Sequence, residues 1–164
     1  MKISQAELDE GVKKHGMHLR CESGGEKLDL RWANLQEANL QEANLQGADL
    51  RGAKLPHFQI CPEEGAFIAW KKAGSKIVKL SIPAEAKRTS SLIGRKCRAE
   101  FVDTLWIFVD TLGTEDGSEK AISGRGGVYE VGKRTHPDKY CDDIRIECSS
   151  GIHFFMTRKE AEEW

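Results

Sequence analysis

The chain has 164 residues, of which 39% are hydrophobic and 31% charged, and this composition is typical of a globular protein. Its formal net charge of -1 excludes both a global basic field for nucleic acid and the strong acidity of a DNA mimic. No run of about 18 apolar residues predicts a membrane span. Residues 1–10 are polar and lack the apolar segment of a secretory signal, so we expect a cytoplasmic protein.

Residues 1–27 predict a capping helix and a loop. Ser4 and Glu7 have the spacing of a capping box, in which each side chain satisfies a backbone donor of the first turn. Apolar residues recur at helical spacing from Leu8 to Leu19, so we predict a helix over about residues 5–19. A helix there would cover the first rung of the next segment, because terminal rungs of a solenoid expose apolar side chains.

Residues 28–57 carry a repeat of five residues. Leucine stands at positions 30, 35, 40, 45, 50 and 55, and alanine stands at 33, 38, 43, 48 and 53. Between them lie Asn34, Asn39, Asn44 and Asp49. Because a period of five fits neither a helix nor a strand, we interpret the segment as a chain that turns every five residues. Leucine and alanine then point inward, and Asn or Asp bonds its own backbone at the turn.

These residues resemble the pentapeptide-repeat family, whose motif is Ala, Asn or Asp, Leu and two variable residues. The resemblance implies a short right-handed quadrilateral β-helix, with four repeats to a coil and little more than one coil here. Members that imitate DNA have long acidic solenoids, so we expect no nucleic-acid partner for this short one. The Lys14-His15 pair and the Gly24-Gly25 pair also resemble the lead-in of phage and prophage members, which suggests such an origin.

Residues 58–164 predict a small α+β domain, which makes the whole chain mainly β with some α. A hairpin is predicted from strands at 66–71 and 76–82. The further predictions are a helical turn within 84–91, one or two strands over 95–109, a glycine-rich loop over 113–127, and strands at 128–131, 144–146 and 152–156. Thr157 and Glu160 form a second capping box, which predicts a final helix.

Two clusters in this domain combine charged, aromatic and sulfur groups: residues 61–65 with 70–72, and residues 147–155. With residues 95–100 and 129–132 they resemble a C-terminal domain of unknown function found behind pentapeptide or leucine-rich repeats. The resemblance covers most of residues 60–164 and implies no known activity. The candidate ligand-binding residues are Glu63, Trp70, Lys71, Arg95, Arg98, Tyr129, Cys148, Ser149 and His153.

The sequence also offers residues for thiol, metal and phosphate chemistry. The five cysteines are scattered, which indicates reduced thiols. A zinc set would be Cys61, Cys97, Cys148 and His153, but no CxxC pair supports it, and we predict neither metal nor cofactor. Cys148 and His153 could act together only if residues 149–151 break the strand alternation. Residues 124–127 could form a phosphate-binding nest, although a hairpin tip is the commoner role of such a sequence.

Three functions fit these residues. The one we favour is a non-enzymatic interaction module, in which the repeats are a stem and the C-terminal domain binds a protein partner such as the host factor of a phage. The second is a binder of a small, nucleotide-like anion, held by Lys71, Arg95, Arg98 and residues 148–153. The third is an enzyme, because residues 151–164 resemble part of ADP-ribosyltransferase-like folds. It would need an acid at the site, with Glu63, Glu100 and Glu147 as candidates. A homodimer is also expected, because short β-helices often pair through their edges.

Overall fold

A computed structural model describes residues 3–108, 120–123 and 127–164. Its elements are α1 (Gln5–Leu19), β1 (Phe67–Ala73), β2 (Lys76–Ile82), β3 (Arg88–Thr89), β4 (Cys97–Ala99), β5 (Val102–Phe108), β6 (Lys120–Ile122), β7 (Val128–Glu130), β8 (Arg134–Thr135), β9 (Ile152–Phe154) and α2 (Arg158–Glu163). The predicted class, mainly β with some α, is confirmed. In the part of the chain that the structure describes, neither helix is long and apolar enough to cross a membrane.

The chain divides into two compact units. The first consists of Met1–Gln59, Ser91–Gly94 and Asp143–Glu147, and the second of Ile60–Ser90, Arg95–Asp142 and Cys148–Trp164. The sequence predicts three continuous parts, with the bounds 1–27, 28–57 and 58–164. In the structure the second half of the chain contributes to both units.

Helix α1 begins at the predicted capping box. The Ser4 hydroxyl accepts a hydrogen bond from the Glu7 backbone N–H, and the Glu7 carboxylate accepts one from the Ser4 N–H at 2.8 Å. The predicted helix is confirmed from its first residue to its last. Two residues beyond its end, Cys21 has a φ of 57°, in the left-handed region, and the chain reverses direction there.

The buried side chain of His15 connects α1 to the repeats by two hydrogen bonds. Nδ1 of His15 accepts a hydrogen bond from the Leu28 N–H at 3.1 Å, and Nε2 donates to the Gln46 carbonyl at 3.0 Å. A backbone N–H only donates and a carbonyl only accepts, so these partners select the neutral Nε2–H tautomer. Leu8 adds its side chain to the same apolar interior as the repeat leucines. The helix therefore packs against the repeat segment and bonds to it.

Every repeat turns in the same way. The N–H of each repeat alanine donates to the carbonyl of the leucine three residues earlier, at 2.9–3.1 Å. Each Asn or Asp side chain accepts a hydrogen bond from the N–H two residues ahead. Leu30, Leu35, Leu40 and Leu45 are buried. The inward leucines and the turns stabilised by Asn and Asp are thus confirmed.

Residues twenty apart lie side by side in the repeat segment. Asp29 pairs with Asp49 and Asn34 with Lys54, both in parallel. The Leu30 N–H donates to the Asp49 carbonyl at 2.8 Å, and other backbone bonds between these two stretches follow the same offset. Twenty residues are four repeats of five. The described residues contain little more than one such coil and form no closed solenoid of stacked coils.

Two short segments from the second half of the chain complete the first unit. The Leu92 N–H donates to the Ile144 carbonyl at 2.9 Å, and Leu92 and Ile93 pack with the repeat leucines. Arg145 donates to the Ala48 carbonyl at 2.6 Å. The strand predicted at 144–146 is wrong. The segment is a turn, because the Asp143 carboxylate accepts the Arg145 N–H and leaves it no strand partner.

The second unit is built from antiparallel strands. The strand orders among its described residues are β1-β2-β5-β8, β3-β4-β9 and β6-β7. The predicted hairpin is confirmed, with Ala73 opposite Lys76 and a two-residue turn at which Gly74 has a φ of +64°. Residues 95–108 form two strands, β4 and β5. Of the helical turn predicted within 84–91, the structure has one turn, closed by the Ala86 N–H and the Pro83 carbonyl, and no helix before β3.

The two larger sheets join at one point. Trp70 of β1 and Phe155, just after β9, exchange backbone hydrogen bonds of 2.9 and 2.7 Å. The strand predicted at 152–156 is confirmed as β9, and the final helix begins at the Thr157 capping box as predicted. Strand β6 lies where a loop was predicted over 113–127. Most of that loop, including residues 124–126 of the proposed phosphate nest, lies outside the described residues.

Candidate functional site

Two adjoining cavities lie in the second unit. The larger has a volume of about 620 Å³ and the smaller about 230 Å³. They share Lys71, Ser123, Cys148 and His153 in their linings. Small-molecule sites in proteins occupy about 300–1,000 Å³, so the larger cavity has the size of a ligand site.

Lys71 occupies a core-facing position of β1. Side chains alternate along a strand, and Lys71 therefore shares its face with Ala69 and Ala73, which are both buried. Its Nζ donates to the His153 carbonyl at 3.2 Å and lies 5.7 Å from the centre of the Tyr129 ring. Burial, followed by the positive charge of Lys96, lowers the pKa of Lys71 to about 8. Its charge is therefore present at neutral pH and is lost at mildly alkaline pH.

His153 presents a neutral ring to both cavities. It stands on β9 between Ile152 and Phe154, whose side chains are buried on the opposite face. Nε2 donates to the Ser149 carbonyl at 2.8 Å, which leaves Nδ1 as a hydrogen-bond acceptor. Burial lowers the pKa of His153 to about 4, and the charges of Lys96 and Lys71 add to the effect. The imidazole is consequently uncharged near neutral pH.

Lys96 is a buried cation beside a sulfur atom. It lies directly before β4 and is 3% exposed. Its Nζ donates to Sγ of Cys148 at 2.8 Å and lies 3.7 Å from the centre of the Trp164 ring, within the range of a cation–π contact. With Lys71 and Lys72 it gives the smaller cavity three lysines. The described residues that line this cavity include no carboxylate side chain.

Five of the nine predicted site residues line the larger cavity: Lys71, Tyr129, Cys148, Ser149 and His153. The structure therefore brings together residues 70–72 and 147–155, and the contact point is His153. Tyr129 is buried, and this burial raises the pKa of its hydroxyl well above the usual range. The ring thus acts as a neutral surface under the Lys71 ammonium.

The other four predicted residues line neither cavity. Arg98 is fully buried, and its Nε donates to the Cys141 carbonyl at 3.0 Å. Arg95 forms an ion pair with Glu160. Trp70 lies on the opposite face of β1 from Lys71 and packs against Phe108. Glu63 is exposed in the loop before β1.

Sequence reasoning missed several lining residues. They are Ser123, Thr135, His136, Pro137, Asp138, Lys139 and Trp164. Lys72, Lys96, Gly127, residues 150–152 and Phe155 also line the cavities, and they lie in segments that the sequence analysis considered without naming them singly. One signal was available for Lys71 itself, because a lysine between two alanines at inward positions breaks the alternation of β1. No such local signal marks Lys96 or Trp164, which meet only through the fold.

The four residues that could have formed a zinc site do not lie together in the structure. Cys61 and Cys97 flank the Ser90 hydroxyl at 3.3 and 3.6 Å, whereas Cys148 contacts Lys96. Among the residues that the structure describes, no three His, Cys, Asp or Glu side chains gather closely enough to hold a metal ion. His153 bonds the Ser149 carbonyl, so the sulfur of Cys148 has a lysine rather than a histidine as its partner.

A family model described as a family of unknown function, DUF5758, matches residues 57–161, which is more than half of the chain. The chain belongs to the DUF5758 family. A model of pentapeptide repeats in eight copies matches residues 29–57, so the repeats directly precede the DUF5758 domain. Both parts of the resemblance seen in the sequence are thereby confirmed. No curated protein and no solved structure matches the chain. Except for Trp164, every cavity residue lies within the DUF5758 match.

Proposed function

We propose that the paired cavities bind a small anion, of the size of a nucleotide and carrying a phosphate or carboxylate group. The observation that carries this proposal is the charge of the smaller cavity. Three lysines line it, the buried Lys96, the half-buried Lys71 and the exposed Lys72, without a carboxylate side chain among its described residues. A cation taken out of water is costly unless an anion compensates it, and a bound ligand would provide that compensation.

The position of Lys71 supports the same function. An apolar residue at this site would continue the buried face formed by Ala69 and Ala73. The lysine instead holds a partly desolvated charge at the junction of the cavities. A residue that opposes folding but faces a cavity is typical of a binding site. Beside it, the acceptor Nδ1 of His153 suits a hydroxyl or amide group of the ligand, and the larger cavity suits its uncharged part.

The test is binding of AMP and inorganic phosphate to the full chain, measured by isothermal titration calorimetry, with adenosine as the uncharged comparison. We expect Lys71→Met to weaken AMP binding at least about 10-fold, which corresponds to about 1.4 kcal/mol. Affinity should also fall as the pH rises through about 8, where Lys71 loses its proton. Lys87→Met is the matched control, because Lys87 is an exposed lysine of the same unit that lines neither cavity.

Thermal unfolding of the wild type and of Lys71→Met, measured alongside binding, checks that the variant is folded. Because Lys71→Met removes a desolvated charge, it should leave the protein at least as stable as the wild type. Weaker binding together with unchanged or higher stability would support a ligand site. Equal binding by Lys71→Met and the wild type, or no binding of either anion at millimolar concentration, would reject the proposal.

The transferase alternative receives less support. Its acid was expected among Glu63, Glu100 and Glu147, and none of these lines either cavity. Glu63 is exposed, and Glu100 accepts a hydrogen bond from the Lys87 N–H. Binding is therefore the function that we propose for the cavities.

A second candidate function is protein binding by the repeats, supported by one exposed aromatic residue. Trp32 is 72% exposed and lies over Gly52, its neighbour one coil later. Large exposed aromatics are enriched at interfaces. The twenty-residue offset supports the quadrilateral coil, and its right-handedness stays part of the proposal. Pull-down with wild-type and Trp32→Ala protein tests this surface. The phage origin, the host factor and the homodimer stay predictions.

A further inference from the structure

We infer that Cys148 is a nucleophilic thiol, held as a thiolate by the Lys96 ammonium, and that it is a site of covalent modification by soft electrophiles. The inference goes beyond anion binding and rests on a different observation. Nζ of Lys96 donates a hydrogen bond to Sγ of Cys148 at 2.8 Å. An anionic ligand could bind whether or not this sulfur reacts.

The charge of Lys96 needs a counterpart. Lys96 is 97% removed from solvent, and it forms no ion pair with a carboxylate among the described residues. Among the described residues it contacts Cys148 and the face of Trp164. The ring stabilises a cation only partly. Of the two, only the sulfur can carry a full negative charge, so a thiolate at Cys148 balances the buried ammonium.

The surroundings of the sulfur add to this effect. Strand β1 contributes the ammonium groups of Lys71 and Lys72 to the cavity that Cys148 lines. Strand β9 contributes His153, which is neutral near pH 7. The loop after β8 supplies His136, Asp138 and Lys139 to the larger cavity. Cationic neighbours favour the thiolate form of a cysteine.

Cys148 is also accessible. It is exposed and lines both cavities, so a reagent can approach the sulfur from the solvent. With iodoacetamide the sulfur attacks the methylene carbon, an S–C bond forms, and the C–I bond breaks as iodide leaves with the electron pair. The thiolate needs no further proton transfer.

The experiment measures alkylation of each cysteine in the full chain by mass spectrometry of its peptides. Cys21, which is exposed in the first unit, is the internal reference. Cys61 and Cys97 are buried and should stay unmodified, so they report whether the protein is folded. Near pH 6.5 we expect iodoacetamide to modify Cys148 at least about 10-fold faster than Cys21. Lys96→Met should bring the two rates together, and Lys96→Arg should keep most of the difference.

The wild-type protein alone can decide the question if Lys96→Met exposes Cys61 and Cys97. The ratio of the Cys148 rate to the Cys21 rate should rise as the pH is lowered from about 8.5 to 6, because only a stabilised thiolate persists at low pH. A ratio near one at every pH overturns the inference, as does an unchanged ratio in folded Lys96→Met.

A second reagent separates this inference from the proposed anion site. Iodoacetate carries a negative charge and iodoacetamide does not. A preference of Cys148 for iodoacetate, relative to Cys21, would support the anion site. Fast reaction with iodoacetamide but no preference for iodoacetate would keep the nucleophilic thiol and count against anion binding. Slow reaction with iodoacetamide would overturn the thiol inference and leave anion binding to be decided by calorimetry.

Discussion

Replacing His153 with glutamine should make the protein less sensitive to acid. In the folded protein burial lowers the pKa of His153 from 6.5 to about 4, whereas the unfolded chain keeps the ordinary value. Between these two pH values the unfolded state binds a proton that the folded state does not. The free energy of unfolding therefore falls as the pH drops from 6.5 towards 4, and this contribution to acid sensitivity is absent above pH 6.5.

The size of the effect follows from the two pKa values. Each tenfold difference in proton affinity is worth about 1.4 kcal/mol, so the interval corresponds to about 3 kcal/mol. Solvent reaches part of the ring, and we expect about 2–3 kcal/mol in practice. His153→Gln keeps an amide donor for the Ser149 carbonyl but cannot take up the proton, so the variant should lose correspondingly less stability in acid.

Urea unfolding followed by circular dichroism, at several pH values from about 7 to 4, measures the difference. Ser149→Ala is the matched control, because it changes a lining residue yet keeps the carbonyl that His153 contacts and adds no titrating group. The control should follow the wild type at every pH. If His153→Gln and the wild type lose stability in parallel between pH 6.5 and 4, the reasoning about the buried imidazole is refuted.

Three further predictions concern stability and can be read from thermal or urea unfolding. Gly52→Ala should cost about 1–3 kcal/mol, because Gly52 has a φ of +70° and an added Cβ would overlap the Trp32 ring; an unchanged midpoint would contradict this. Leu45→Ala, which empties a fully buried repeat position, should cost about 2–5 kcal/mol, and a loss below 1 kcal/mol would mean that the coil collapses around the gap. Thr157→Ala should cost about 0.5–2 kcal/mol through loss of the cap with Glu160, with Thr157→Ser close to wild type as its control.

Local patterns explain which parts of the fold could be predicted. The two capping boxes and the hairpin depend on residues within a few positions of one another, and all three were found. The repeat is also local, since each turn forms between a leucine and the alanine three residues later. The segment at 144–146 resembles a strand in composition, but the Asp143 carboxylate takes the Arg145 N–H and turns the chain. That competition between side chain and backbone is not visible in a hydrophobic pattern.

The candidate site was only partly predictable for a related reason. The composition of residues 147–155 predicts a binding site, and residues 148–153 and 155 do line the cavities. The charge of Arg98 predicts a ligand contact, yet Arg98 is fully buried and bonds a backbone carbonyl. Lys96, two positions earlier, is the residue that reaches Cys148. Lys96 precedes β4 and Arg98 lies within it, and the sequence pattern does not show which of the two faces the cavity.

The twenty-residue offset of the repeats restricts how a chain of this kind can change its length. Loss or gain of one residue would exchange inward leucines with outward polar side chains for the remainder of the segment. Loss or gain of five residues keeps every leucine inside but shifts each later repeat by one quarter of the offset that joins Asp29 to Asp49. Only a change of twenty residues returns each later repeat to its original face of the coil. Viable length variants of this segment should therefore differ in whole repeats.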